Sequence, residues 1–251
     1  MNTDRLITRR TVMSATCVAT VAAMMSPAPT AEAKTDLGRP RVMWQQCVER
    51  ALQCFPTGGG YHTGRNIPPG FRQTAWTGLD RAVRVTATGV CVDPYLATPS
   101  FCSSATYLLL LKSLELYEKT CGVMPPRKEW EYLKPYTVDH RPYPIQNDGV
   151  GAWGRANANG PGMAELAHEL KIGTNLYIGT TGEYANLADR NEMFASIRRY
   201  DFMKIFWNDE IGKDERGHMV VVLGRSSHSN RSRHRVGTVR YWSSNGSHTD
   251  I

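Results

Sequence analysis

Apolar and polar positions along the 251-residue chain follow two rhythms, one helical and one of period two. In "RPRVMWQQCVERALQCF" (39–55) the apolar residues fall three to four apart, which predicts a helix ended by Pro56. A Gly- and Pro-rich loop, "TGGGYHTGRNIPPGF" (57–71), follows, and then "GLDRAV" (78–83), which suits a short helix or turn. "VRVTATGVCV" (83–92) alternates as a strand does, and "DPYLATPS" (93–100) reads as a connector. From Ser100 the pattern changes. Ser100 is a plausible N-cap, Cys102 falls in the first turn, and Ala105 to Leu116 is apolar on nearly every face, as in a buried helix that stops at Gly122 and the following prolines. "RANANGPGMAELAHELKIG" (155–173) predicts a loop through Asn159, Gly160 and Pro161 into a short helix closed by Gly173. The last third has period two: "YDFMKIFW" (200–207), "HMVVVLG" (218–224) and "VGTVRYWSS" (236–244), separated by a charged turn and a basic run. Helices followed by an antiparallel sheet make an α+β layout.

The N-terminus differs in kind. Arg9 and Arg10 precede an apolar stretch, Val12 to Met25, and small residues lead to Lys34. That order predicts a twin-arginine-type export signal over 1–33, because roughly fourteen apolar residues fall short of the about 20 that a membrane span needs. Cys17 lies inside the apolar stretch after Thr16, which argues against lipidation. The remaining residues, 34–251, form one domain by length, with no later segment suited to stable membrane insertion and no internal repeat. The expected location is therefore periplasmic or secreted. The chain has 30 Lys plus Arg against 23 Asp plus Glu; without the signal the counts are 27 and 21. The excess gathers in "GRSSHSNRSRHRVGTVR" (224–240), read as a solvated loop or as attraction to a polyanion such as a cell wall; no nucleic-acid motif accompanies it.

Five cysteines follow the signal: Cys47, Cys54, Cys91, Cys102 and Cys121. An odd number leaves at least one thiol unpaired. Along a continuous helix, Cys47 and Cys54 stand about 10 Å apart, beyond the roughly 7 Å that a disulfide tolerates between Cα atoms. Cys91 and Cys121 are then the available disulfide partners and Cys102 is left free, although fully reduced cysteines or a Cys91–Cys102 bridge satisfy the count equally.

A thiol at a helix start meets free backbone N–H groups and the positive end of the helix dipole, which favour its anion and the oxyanion of an acyl-transfer intermediate. Cys102 holds that position. A cysteine hydrolase also needs an imidazole on a rigid element, and His218 opens a strong strand. The next strand offers a third group to fix the ring tautomer in Ser243, Ser244 or Asn245, of which Asn245 is preferred over the more distant His248.

"FCSSATYLLLL", then "RRYDFMKIFW" and "GHMVVVLG", resembles the papain-like NlpC-type cell-wall peptidases and the related cysteine- and histidine-dependent amidohydrolases, over roughly residues 90 to 245. The resemblance implies a papain-like α+β fold in which the helix carrying the nucleophile packs on a C-terminal antiparallel sheet. It also implies Cys102 as nucleophile, His218 as base and then acid, and a polar third residue near Asn245. A family tyrosine upstream of the cysteine has Tyr95 as its counterpart. Ser103, next to the nucleophile, and Asn159 are further candidates to line the site. Two departures stand out: the family's "DCSG" is "FCSS" here, and its Gly-Asp is Tyr200-Asp201.

Against this stand plainer readings, in which Cys102 is a small core residue or half of a disulfide and His218 only hydrogen-bonds backbone. Export, the odd cysteine count and the chain order together favour the catalytic pair. His168 and Glu169 lack a second ligand at the spacing of a helical zinc site, and the chemistry needs no metal or organic cofactor. Asn157 and Asn159 suit ligand binding or a self-satisfied loop equally, and Trp153 and Trp242 suit a cleft or the core. The expected activity is cleavage of amide bonds in peptidoglycan stem peptides through a thioester. The alternatives are another exported amide or acyl substrate, or a non-catalytic wall-binding module. Oligomeric state is not legible.

Overall fold

A computed structural model of the chain describes residues 19–23, 38–58, 61, 69–71, 78–86, 89–122, 130, 133–134, 163, 174–178, 194–207, 217–229 and 235–244. The architecture is α+β with antiparallel sheets. In chain order the elements are β1 (Ala19–Ala23), α1 (Gly38–Gln53), α2 (Leu79–Ala82), β2 (Val83–Val85) and β3 (Val90–Val92). A 3-10 turn (Pro94–Leu96) then leads into α3 (Cys102–Cys121), followed by β4 (Thr174–Ile178), β5 (Phe202–Phe206), β6 (Gly217–Ser229) and β7 (Arg235–Trp242). The main sheet has the order β4-β1-β5-β6-β7, and β2 and β3 form a separate hairpin.

α3 is the hub. Leu108, Leu109, Leu110 and Leu111 are all fully buried, so every face of the helix meets protein, as an all-round apolar run requires. It packs against α1, β3 and β6. Its core contains Trp44 and Val48 from α1, Phe202 from β5, and Met219 and Val221 from β6. The alternate residues of those strands, Met203, Val220 and Val222, bury a second, smaller cluster with Ile197. Each leucine side chain so buried contributes about 1.5–3 kcal/mol, which fixes the helix in place and with it the direction of its first turn.

The helix ends follow the sequence with one correction. Gly122 takes a left-handed conformation (φ 67°) and its N–H reaches the Glu118 carbonyl at 2.8 Å. At the other end the N-cap is Phe101, not Ser100. Ser104 Oγ accepts the Phe101 N–H at 3.1 Å, and Ser100 is drawn to Ser104 instead, with 2.5 Å between their hydroxyl oxygens. Cys102 is thereby the first helical residue.

The α3 end of the β3 hairpin is held by a buried carboxylate. Glu115 Oε2 accepts the Val92 N–H and the Lys112 ammonium, both at 2.9 Å, and Glu115 Oε1 pairs with Lys119. Lys112 also reaches the Val92 carbonyl at 2.8 Å. This clamp sets the path of the turn that delivers Phe101 and Cys102. Gly78 closes the same corner: its φ is 70°, and a Cβ there would stand 1.6 Å from the Leu96 carbonyl oxygen.

Several local expectations change. "VRVTATGVCV" is not one strand but the β2–β3 hairpin, because Thr86 and Gly89 close a turn: the Thr86 N–H donates to the Gly89 carbonyl at 2.8 Å and the Gly89 N–H to Thr86 Oγ1 at 3.1 Å. The basic run 224–240 is largely the far half of the β6–β7 hairpin rather than a loop, with Arg225 and Arg240 exposed on it. A register shift between Val222 and Gly224 lets the ribbon leave the core at that point. Ala19–Ala23, inside the expected export signal, pairs antiparallel with both β4 and β5. Removing residues 1–33 would therefore expose the edge of β5.

No disulfide forms: all five cysteines after residue 33 are free. α1 is continuous through Cys47, as expected. However, Cys54 turns its thiol to the Arg50 carbonyl at 3.3 Å, and Cys91 lies 3.7 Å from an Arg84 guanidinium nitrogen. Cys121 meets Met43 of α1 at 3.9 Å between sulfurs, one turn from Cys47. Among the described residues, no helix is long and apolar enough to cross a membrane.

Candidate active site

The N-terminus of α3 meets the start of β6 and the end of β7. Cys102, His218 and Ser243 come together there although 116 and 25 residues separate them in sequence. Cys102 is buried, at 7% exposure, under the first helical turn. His218 is the second residue of β6, opposite Ile205 of β5. Its ring hydrogen-bonds the Cys102 sulfur, and its Nε2 lies 2.8 Å from Ser243 Oγ, just past β7. With Nε2 engaged, Nδ1 is the nitrogen left for the sulfur. Tyr241 packs edge-on against the ring, with centroids 6.3 Å apart. The imidazole is thus held by the Cys102 sulfur from α3 and by Tyr241 and Ser243 at the end of β7.

The glycine before His218 matters to this placement. A Cβ at Gly217 would lie 2.1 Å from the Ile205 carbonyl oxygen, so β6 approaches β5 at a distance that only glycine permits.

The thiol's ionisation follows from these neighbours. Burial pushes the Cys102 thiol up. The His218 hydrogen bond and charge, the Met219 N–H and the charge of Lys204 outweigh burial and bring it down to about 7. Cys47, also buried, goes the other way, raised by burial and by neighbouring Cys121. The Tyr61 hydroxyl lies 3.9 Å from the Cys102 sulfur. Burial and the neighbouring Cys102 hold that phenol well above its ordinary range, so it serves the sulfur as a neutral donor. Tyr61 is carried there by a parallel bridge to Ser100, two residues before the nucleophile.

A cleft of about 290 Å³ opens beside this cluster. Ser100 and Ser243 join it to the thiol and imidazole, Phe55 and Trp242 pack edge-on in its wall with centroids 5.1 Å apart, and among the described residues none that lines it is ionisable. It suits a neutral, partly apolar group.

Of the residues singled out from sequence, the structure brings Cys102 and His218 together. Ser103 is buried in the first turn of α3 beside Cys102. The contact expected of Tyr95 belongs to Tyr61: Tyr95 stands 65% exposed on the 3-10 turn, where the Asp93 carboxylate accepts its backbone N–H at 3.1 Å. Ser243 takes the third position on His218. Asn245, the preferred orienter, lies outside the described residues, as do His248, Asn157, Asn159, Trp153, His168 and Glu169. Trp242 both packs against the core and lines the cleft. Among the described residues no group of three or more His, Cys, Asp or Glu is placed to hold a metal. Sequence reasoning missed Tyr61, in a loop without periodicity, and Lys204, whose one signal is a charge in the middle of a buried strand pattern.

No protein-family model, curated protein or solved structure matches the chain.

Proposed function

We propose that this protein is an exported cysteine hydrolase of papain-like fold that cleaves amide bonds, with peptidoglycan stem peptides as substrate. The observation that carries the reading is the Cys102–His218–Ser243 chain: a thiol ionising near 7 at a helix start, bonded to an imidazole whose other nitrogen is already occupied. Tyr200 adds support. It is the only described non-glycine residue with positive φ, at 73°, and it stands where the resembled family has the Gly of Gly-Asp. That backbone conformation is the one glycine adopts without strain, so the departure in sequence leaves the local geometry intact.

In the first half-reaction Cys102 gives its proton to His218 Nδ1 and the thiolate attacks the amide carbonyl carbon. The carbonyl π pair moves onto oxygen, where the N–H groups of the first α3 turn receive it. The His218 imidazolium then protonates the leaving nitrogen and the C–N bond breaks, leaving a thioester on Cys102. In the second half, His218 takes a proton from water and hydroxide adds to the thioester carbon; the C–S bond then breaks as the imidazolium returns its proton to the Cys102 sulfur, and the released carboxylic acid ionises in water. Ser243 accepts the Nε2–H throughout, which keeps Nδ1 directed at the sulfur. The chemistry is complete with these side chains and water. The basic β6–β7 ribbon suits docking on an anionic wall, and the uncharged described lining of the cleft suits a neutral segment of a wall peptide.

Incubation of purified protein with soluble wall fragments, followed by mass spectrometry, tests this. Paired products that differ from substrate by one water across an amide are expected, and none with Cys102→Ala. Retention on sacculi with no product from wild type would replace the reading by a binding module, and cleavage surviving Cys102→Ala would remove the assigned nucleophile.

A further inference from the structure

Lys204 sits at the centre of β5 and is 2% exposed. Burying an ammonium is costly unless anionic or polar groups compensate it, and the charge of Lys204 is felt at the Cys102 sulfur. Its side chain shares a strand face with Phe202 and Phe206, and its Nζ lies 5.3 Å from the Phe206 ring centroid. Directly across the strand pair is Met219, whose N–H donates to the Cys102 sulfur. The lysine stem runs under Gly217: its Cε lies 2.9 Å from where a Cβ would be. The missing Cβ that lets β6 close on β5 therefore also leaves room for this side chain. Among the described residues, the charged and titratable neighbours of the sulfur are His218 from β6, Lys204 from β5 and the Tyr61 phenol beside Ser100.

We propose that Lys204 is a positioning residue of the site: its buried ammonium favours the Cys102 thiolate over the thiol, so that the nucleophile is ready before substrate arrives. This rests on Cys102 being the reactive group of the proposed hydrolase. His218 and Lys204 then divide the work. The imidazole moves the proton, whereas the ammonium, fixed on a central strand, supplies a constant field that does not change during turnover. Its charge acts on Cys102 in the same direction as that of His218.

The test is the pH dependence of Cys102 alkylation by iodoacetamide, read by peptide mass spectrometry in the full-length protein and in Lys204→Met, a neutral side chain of similar length. Wild type should show a midpoint near 7, and Lys204→Met should move it up by about one pH unit while keeping the high-pH plateau. A folded Lys204→Met with an unmoved midpoint overturns the role of Lys204 and leaves the hydrolase reading standing. A wild-type midpoint near that of an ordinary thiol overturns the hydrolase reading itself. Should the variant not fold, wild-type protein labelled at lysine 13Cε decides. The Lys204 resonance should shift across the pH range in which Cys102 ionises, and Cys102→Ser should abolish that shift; a resonance unchanged by Cys102→Ser overturns the proposal.

Discussion

Replacing His218 by alanine tests the cysteine–histidine pair without any substrate. In wild type a thiol ionising at about 7 is roughly half thiolate at pH 7. Without the imidazole the principal offset to burial is gone, and the thiol returns to about 9 or above, with roughly 1% thiolate at pH 7. The thiolate population falls about fiftyfold, but a more basic thiolate is intrinsically faster. With a Brønsted coefficient of about 0.4–0.5 over two pH units, that returns a factor of about eight. The net loss in rate at pH 7 is about sixfold, and at pH 10, where both forms are largely ionised, the variant becomes the faster. A small disulfide probe with peptide-resolved mass spectrometry follows Cys102 separately from the four other thiols after residue 33. Cys47 serves as an internal control, because its thiol is raised and should show no change. The crossing of the two pH profiles is the diagnostic outcome. Superimposable profiles in wild type and His218→Ala would refute the pairing.

Four further outcomes follow from the geometry. Ser243→Ala removes one neutral hydrogen bond of 2.8 Å from the ring, worth about 1 kcal/mol, so kcat on wall fragments should fall about five- to tenfold with KM little changed; an unchanged kcat would show that Ser243 does not orient His218. Gly217→Ala forces its Cβ off the Ile205 oxygen 2.1 Å away; a shift of about 1 Å at His218 should cost about a hundredfold in kcat, alongside a lower Tm by calorimetry. Glu115→Ala strips the Val92 N–H and Lys112 of their buried acceptor and should cost about 3 kcal/mol in urea unfolding, while a loss under about 1 kcal/mol would mean that the clamp does not hold the hairpin. Protein recovered after export should begin near Lys34 by intact mass, and the amides of Phe202–Phe206 should exchange hydrogen faster than in the uncleaved chain, where β1 covers that edge.

The sequence by itself determined the elements whose signals are local. The all-round apolar run makes α3 a buried helix, Gly122 ends it, and the period-two runs make β5, β6 and β7. A cysteine at the helix start and a histidine at a strand start were legible for the same reason: each position is set by neighbours within a turn or two. What the tertiary structure decided is what meets what. Thr86 and Gly89 split an apparently single strand into a hairpin, because a turn's hydrogen bonds outweigh the continuity of an alternating pattern. Tyr61 rather than Tyr95 reaches the sulfur, because a bridge to Ser100 carries an aperiodic loop across the helix start. Ser243 occupies His218 Nε2, because register places it beside the ring. Lys204 looks like a misplaced surface charge until cross-strand pairing sets it opposite Met219, under the glycine that precedes His218. Periodicity encodes which face of an element is buried. The field on one sulfur atom depends on strands more than 100 residues further along the chain, and only packing brings them together.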